Sequence, residues 1–138
     1  MQTTIIIFIL FMMIWYFYIW TQHEIQHETY LENDEEVVRL KNILLPVFPE
    51  LGNVKLMKGN SSYTINKKKI YLCTEHNGDK YDDNMLTYVI LHELAHTLCP
   101  EIGHDKKFQK IFQILLDRAE RHSLFNSNLP RVENYCKN

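Results

Sequence analysis

The stretch MLTYVILHELAHTLCPEIGHDKKFQKIFQILLDRAERH, residues 85–122, contains two apolar periodicities separated by a short break. Its first part predicts a buried helix over 85–98, capped by Asn84. CPEIG at 99–103 interrupts the pattern. Residues 104–122 then repeat apolar side chains at steps of three and four, which predicts an amphipathic helix. The stretch therefore indicates two consecutive helices joined by a tight loop.

Within the first of these helices, HELAH at 92–96 places two histidines one turn apart on the same face. Such a pair can bind one zinc ion, and Glu93 would then lie close to the metal without binding it. A carboxylate in that position can take a proton from a zinc-bound water and later give it to a leaving amine. We therefore predict His92 and His96 as metal ligands and Glu93 as the catalytic general base.

The third metal ligand is less constrained by the pattern. We favour His104, because it begins the second helix and the loop can return it to the same metal, where Asp105 can help to order the site. Glu120 and Asp117, further along that helix, are alternatives in a thermolysin-like arrangement. Cys99 is a ligand that a site with three histidines does not need.

A second match to the same pattern, HEIQHE at 23–28, has different surroundings. No apolar residue repeats with helical period there, so no core would fix the imidazole rings. The next histidine along the chain is His76. We therefore predict that His23 and His27 are solvated residues of a stalk, without a metal.

An uncharged apolar segment precedes that stalk, IIIFILFMMIWYFYIW at 5–20. With the flanking threonines, residues 3–21 give a helix of roughly 28 Å, close to the hydrocarbon thickness of a bilayer. We predict a membrane protein with a single-pass, uncleaved signal anchor over 1–22. A cleaved signal peptide is the alternative, but it would have a basic start and a small-x-small cleavage triplet. Because no Lys or Arg precedes Arg39, the charges do not set the orientation.

The composition limits the partners and the chemistry of the cysteines. The formal net charge of −2 in 138 residues gives no basic excess, so nucleic acid is not expected as a partner. Cys73, Cys99 and Cys136 are far apart, odd in number and without a CxxC pair. We predict buried free thiols, with one disulfide as the alternative if the domain faces an oxidising compartment.

The polar residues after the apolar segment predict a juxtamembrane stalk over 23–36, and the rest of the chain, 37–138, predicts one domain. Asp34 can cap a helix that runs through about Leu45 and ends before two prolines.

Short apolar runs separated by turn residues predict three strands, at 54–57, 63–66 and 69–73. Residues 75–84 read as a loop. The predicted fold class is α+β: an N-terminal transmembrane helix, then a small antiparallel sheet packed on the active-site helix and a C-terminal helix.

The segment HELAHTLCPEIGHDKKF, residues 92–108, resembles the WLM and SprT-like zinc metallopeptidases. Their pattern is HExxH, a short variable insert and a further His, often followed by Asp and then an aromatic residue. The positions that carry it here are His92, Glu93, His96, His104, Asp105 and Phe108. The resemblance covers about residues 54–122 and extends to small membrane-anchored members of the group among large DNA viruses.

The resemblance implies Zn²⁺ on His92, His96 and His104, with Glu93 as general base and acid. It also implies a minimal zincin fold, in which an edge strand of a small sheet pairs with an extended peptide; KIYLC at 69–73 is the candidate strand. Members that cut proteins from DNA usually add DNA-binding or partner-binding segments, and no such segment is expected here, where an apolar anchor is predicted instead. A peptide or protein substrate near the membrane is therefore expected.

Two functions from different classes follow from the sequence. The first is a membrane-anchored zinc metallopeptidase that hydrolyses peptide bonds. The second is a zinc-stabilised, non-catalytic module tethered to a membrane, against which Glu93 argues because structure alone does not need that acid. The candidates for a group that stabilises the transition state are Tyr81, Tyr88, His122 and Tyr135. The sequence does not choose among them, and it indicates no oligomeric state.

Overall fold

A computed structural model describes residues 1–133, 135 and 136. Residues 1–31 form one compact unit, and the described chain from Glu32 onwards forms a second. The helices are α1 (Gln2–Glu32), α2 (Glu35–Leu44), a 3₁₀ helix (Pro49–Asn53), α3 (Asp83–Leu98) and α4 (Lys106–Arg121). The strands are β1 (Lys55–Lys58), β2 (Tyr63–Ile65), β3 (Lys69–Leu72), β4 (Glu75–His76) and β5 (Asp79–Lys80). The chain therefore has an α+β fold preceded by a long apolar helix.

Helix α1 is continuous through the predicted span and most of the predicted stalk, 23–36, and ends at Glu32; the last residues of that stalk already belong to α2. It is long and apolar enough to cross a membrane, with a mean hydropathy of 2.1 over 18 residues, and none of its residues is buried. His23 and His27, the pair from the first HExxH match, are exposed on it.

Helix α2 begins as its capping residue predicts. Asp34 accepts hydrogen bonds from the backbone N–H groups of Glu36 and Val37, at 3.1 and 3.3 Å. These bonds satisfy donors that the first helical turn cannot pair internally. Arg39 on the exposed side donates to both carboxylate oxygens of Asp83, at 2.5 and 2.9 Å, and so joins α2 to the start of α3.

The three-stranded sheet has the order β1-β3-β2. β2 pairs with β3 antiparallel, but β1 lies on the other side of β3 and pairs with it in parallel. The prediction of an antiparallel sheet is therefore wrong for β1. The prediction of 69–73 as an edge strand is also wrong, because β3 is central: Ile70 and Leu72 are fully buried and hold it there.

A second, two-stranded sheet occupies the segment predicted as a loop, 75–84. β4 and β5 pair antiparallel around Asn77 and Gly78, which have φ values of 51° and 86°. Two residues with positive φ match the right-handed twist of a hairpin, and Asn-Gly is its strongest local signal.

Helices α3 and α4 occupy the positions that the periodicity predicts and pack on each other. The cap of α3 differs from the prediction: Asp82, not Asn84, accepts the hydrogen bond of the Met85 backbone N–H, at 2.8 Å. The amide of Asn84 instead bonds to the backbone of Asn126 in both directions, at 2.7 and 3.2 Å. Asn84, which local propensity favours as the cap of α3, is thus engaged in a contact with a residue distant in sequence.

Cys73 and Cys136 form a disulfide across 63 residues of sequence, so the prediction of free thiols is wrong for this pair. Cys99 is buried and free. Tyr135 in the tail also contacts the end of β3. Its hydroxyl donates to the carbonyl oxygen of Cys73 and lies 2.9 Å from Ser62 Oγ. The spacing of the cysteines in the sequence does not indicate that Cys73 and Cys136 lie close together in the fold.

Candidate metal centre

Three imidazoles converge between α3 and α4. His92 and His96 lie one turn apart on α3, and His104 lies in the loop that precedes α4. His104 Nε2 is 3.0 Å from His92 Nε2 and 3.1 Å from His96 Nε2. The structure therefore brings together the three predicted metal ligands, with their ligand atoms all within 4.8 Å of one another.

The loop between the helices is shaped to return His104 to α3. Gly103 has a φ of 96°, a left-handed conformation that a residue with a side chain would adopt only with strain. On the other side of the loop, Lys67 Nζ donates to the backbone oxygens of Cys99 and Pro100, at 2.6 and 2.9 Å. A cation just beyond the C-terminal end of α3 also complements the helix dipole.

Phe108 packs against all three imidazole rings. Its ring, fully buried, lies with its centroid 4.4 Å from that of His96, 4.8 Å from that of His104 and 5.1 Å from that of His92. Asp105 caps α4 by accepting from the Phe108 backbone N–H at 2.8 Å. Asp105 therefore orders the site indirectly, by fixing the first turn of the helix that carries Phe108.

The positions of the imidazole nitrogens are compatible with a zinc ion. Two of the nitrogen–nitrogen separations, 3.0 and 3.1 Å, are close to the roughly 3.3 Å that separates tetrahedral ligands held at 2.0–2.1 Å from zinc. Burial, followed by the charges of His96 and His104, lowers the pKa of His92 to about 4, and burial also lowers the pKa of His96. Both rings are therefore neutral near pH 7, the form in which imidazole binds a metal.

Glu93 lies beside this cluster with only 7% of its surface exposed. Thr64 on β2 reaches it from the sheet: Thr64 Oγ1 lies 2.7 Å from Glu93 Oε2 and 3.1 Å from the Glu93 backbone oxygen. Burial raises the pKa of the Glu93 carboxyl, whereas the bond from Thr64 and the charge of His104 oppose that rise. The Thr64 hydroxyl thus holds one carboxylate oxygen in place.

The histidines and Glu93 open into a cleft of about 660 Å³ between β2 and the loop that precedes α4. One side of the cleft is formed by Tyr63 and Thr64 of β2 and by the residues that flank this strand, Ser62, Asn66 and Lys67. The opposite side consists of Glu101, Ile102 and Gly103. Ile102 is 98% exposed, so the cleft has an apolar side chain on a solvent-facing rim.

The alternative ligands lie outside the cluster of possible ligands found among the described residues. Glu120 is exposed and accepts hydrogen bonds from the backbone N–H and the hydroxyl of Ser127. Asp117 accepts from Gln113 at 2.7 Å. Cys99 is completely buried.

The four candidates for transition-state stabilisation are not among the described residues that line the cleft. The Tyr81 hydroxyl accepts from the Cys136 backbone N–H, and the Tyr88 hydroxyl accepts from Arg131. His122 caps the C-terminal end of α4. Burial raises the pKa of Tyr135 to about 12, and its hydroxyl bonds to Ser62 and Cys73.

Sequence reasoning missed Thr64. Apolar–polar alternation on this short strand would place Tyr63 and Ile65 on the buried face and Thr64 outside, whereas in the structure Thr64 is the least exposed of the three. That β2 lies beside α3 depends on the sheet order, which the sequence did not predict.

Comparison with known proteins finds viral relatives. Uncharacterized protein 136R of Invertebrate iridescent virus 6 is 49% identical over 90 residues, which cover 62% of this chain and 51% of that protein. Uncharacterized protein 042R of Invertebrate iridescent virus 3 is 48% identical over 87 residues, covering 62% and 55%. Uncharacterized protein R325 of Acanthamoeba polyphaga mimivirus is 46% identical over 59 residues, covering 41% and 30%.

The chain thus spans about half the length of the two iridescent virus relatives. No model of a known protein family matches the chain. No solved structure matches it either.

Proposed function

We propose that the chain is a zinc-dependent metallopeptidase of the minimal zincin type, tethered to a membrane by α1. One observation supports this most strongly: His104 Nε2 lies 3.0–3.1 Å from the Nε2 atoms of His92 and His96, beside a buried glutamate, in an open cleft. A purely structural zinc site is closed by a fourth protein ligand, whereas a catalytic one has three and keeps a position open. Among the described residues, the cluster holds three ligands.

Zinc held by His92, His96 and His104 would polarise a substrate carbonyl and make a water molecule acidic enough to react near neutral pH. Glu93 would accept a proton from that water, because its carboxylate is buried beside the histidines and its pKa is raised by that burial. It would then give the proton to the amine nitrogen as the C–N bond breaks and the water oxygen stays on the carbonyl carbon. Thr64 keeps the carboxylate turned toward the cleft during both transfers.

The substrate would lie along β2 rather than β3. β2 is at one edge of the sheet, lines the cleft and packs against α3. An extended peptide can add to such an edge through backbone hydrogen bonds, and a peptide bound there would run along the cleft that Glu93 also lines. The substrate class that fits is an extended segment of peptide or protein close to the membrane.

The non-catalytic alternative would be favoured by a tail that covers the cleft. No described tail residue lines the cleft: Tyr135 packs against Tyr81 and bonds to Ser62 at the margin of the cleft, and Cys136 is joined to Cys73. Three histidines can bind a metal without Glu93, so a purely structural site would not need this acid. We therefore favour the enzyme.

Replacing Thr64 with valine should lower kcat about tenfold with little change in KM, because one hydrogen bond contributes roughly 1.4 kcal/mol to positioning the carboxylate. Thr64→Ser restores the hydroxyl and should recover most of the rate. Steady-state kinetics of both variants at equal zinc content test this. If valine and serine behave alike, Thr64 acts through packing rather than through its hydroxyl.

The function itself is tested with the full-length chain in detergent and a mixture of unstructured peptides, with cleavage products identified by mass spectrometry. We expect cleavage at internal peptide bonds that stops when zinc is removed by a chelator and returns when zinc is added back. A chain that holds zinc but cuts none of the peptides over many hours would favour the non-catalytic module.

A further inference from the structure

The Cys73–Cys136 disulfide indicates on which side of a membrane the domain lies, which the charge pattern of the sequence does not. Cys73 and Cys136 pair across 63 residues, while Cys99 stays buried and free. Disulfides of this structural kind persist in oxidising compartments and are rare in the cytosol. The domain that contains the bridge is therefore expected on the exported side of a membrane.

Helix α1 is consistent with export. An apolar helix of this length directs the chain that follows it to a membrane, either as a cleaved signal or as an anchor. With no Lys or Arg before Arg39, the positive-inside rule leaves the orientation of an anchor open. The disulfide favours the exported side for this domain, because disulfides form and persist in oxidising compartments and are rare in the cytosol.

The same domain contains a glycosylation motif that can be used only on the exported side of the membrane. Asn60-Ser61-Ser62 matches the N-x-[ST] acceptor for N-linked glycans, and its middle residue is not proline. It lies in the turn between β1 and β2, where Asn60 and Ser61 are exposed. Glycans are tolerated on such surface turns because the sugar projects into solvent.

Ser62 is engaged inside the folded domain, but this does not prevent glycosylation. Its Oγ accepts from the Cys73 backbone N–H at 2.9 Å and also bonds to the Tyr135 hydroxyl. N-linked glycans are added to the emerging chain before these contacts form. In the folded domain the glycan would be attached to Asn60, whose side chain is in solvent.

We propose that Asn60 is an N-glycosylation site and that the domain from Glu32 onwards lies on the exported side of the membrane. The inference rests on the disulfide, the apolar helix and the exposed acceptor turn. It does not depend on the proposed peptidase activity.

The test is expression of the full-length chain in a eukaryotic cell with a secretory pathway, followed by an immunoblot with and without peptide N-glycosidase F. The parent chain should show a single step to faster migration after treatment. Asn60→Gln should migrate at that faster position without treatment. On the same samples, Cys73 and Cys136 should resist alkylation until a reductant is added.

A matched control separates the two parts of the proposal. Asn128→Thr completes an acceptor triplet that begins at Asn126, in an exposed loop of the same domain. It should add a second glycan to the parent chain. A glycan in this variant but none at Asn60 would overturn the site, and no glycan in either chain would overturn the exported location as well.

Discussion

Glu93→Gln is expected to abolish peptide cleavage while one zinc remains bound per chain. Glutamine keeps the shape of the side chain and its contact with Thr64, but it cannot take a proton from water. Because a positioned general acid–base contributes typically 10²–10⁴-fold, kcat should fall by at least about 10²-fold. The change removes no metal ligand, so zinc content should match that of the parent.

The measurement pairs the rate of peptide cleavage with zinc content on the same preparation. Glu120→Gln is the matched control: the same substitution, at an exposed acid on α4 that lies outside the cluster. It should cleave at the parent rate. Parent-like cleavage by Glu93→Gln with full zinc would exclude Glu93 as the proton carrier.

His104→Ala is expected to weaken zinc binding by at least about 100-fold. Changing a residue that only orients a metal ligand costs 10- to 100-fold in affinity, and loss of a ligand should cost more. His104 is exposed and contributes little to the core, so the domain should still fold. Zinc affinity is measured by competition with a chelator of known affinity, and circular dichroism checks the fold.

His122→Ala is the control for this variant, since His122 is an exposed histidine at the other end of α4. It should bind zinc as the parent does. If His104→Ala also bound zinc with parent affinity, the third ligand would have to come from elsewhere, and Glu120 or Asp117 would need to move into the cluster.

Helical periodicity and the spacing of the histidines predicted much of this site. Residues i and i+4 of a helix lie on the same face, so the helical prediction already places His92 beside His96. The seven residues between His96 and His104 allow His104 to return to that pair. The structure brings these three residues together with Glu93, as the pattern predicts. The aromatic residue after the third histidine, Phe108, also has a physical role, because it packs on all three rings.

The sheet was harder to predict, because strand order depends on contacts distant in sequence. β1 and β3 pair in parallel although β2 lies between them in the chain, and no local signal indicates this. The contact of Thr64 with Glu93 and the Cys73–Cys136 bridge depend on that arrangement. These features join residues 29 and 63 positions apart, beyond the reach of periodicity.

Zinc-edge X-ray absorption on the full-length chain tests the central claim most directly, because it reports which atoms surround the metal. We expect one zinc per chain with three imidazole nitrogens at about 2.0–2.1 Å and one further light atom at a similar distance. Sulfur at about 2.3 Å would instead place Cys99 at the metal and make the site a structural one. A purified, folded chain with no zinc affinity would contradict the account altogether.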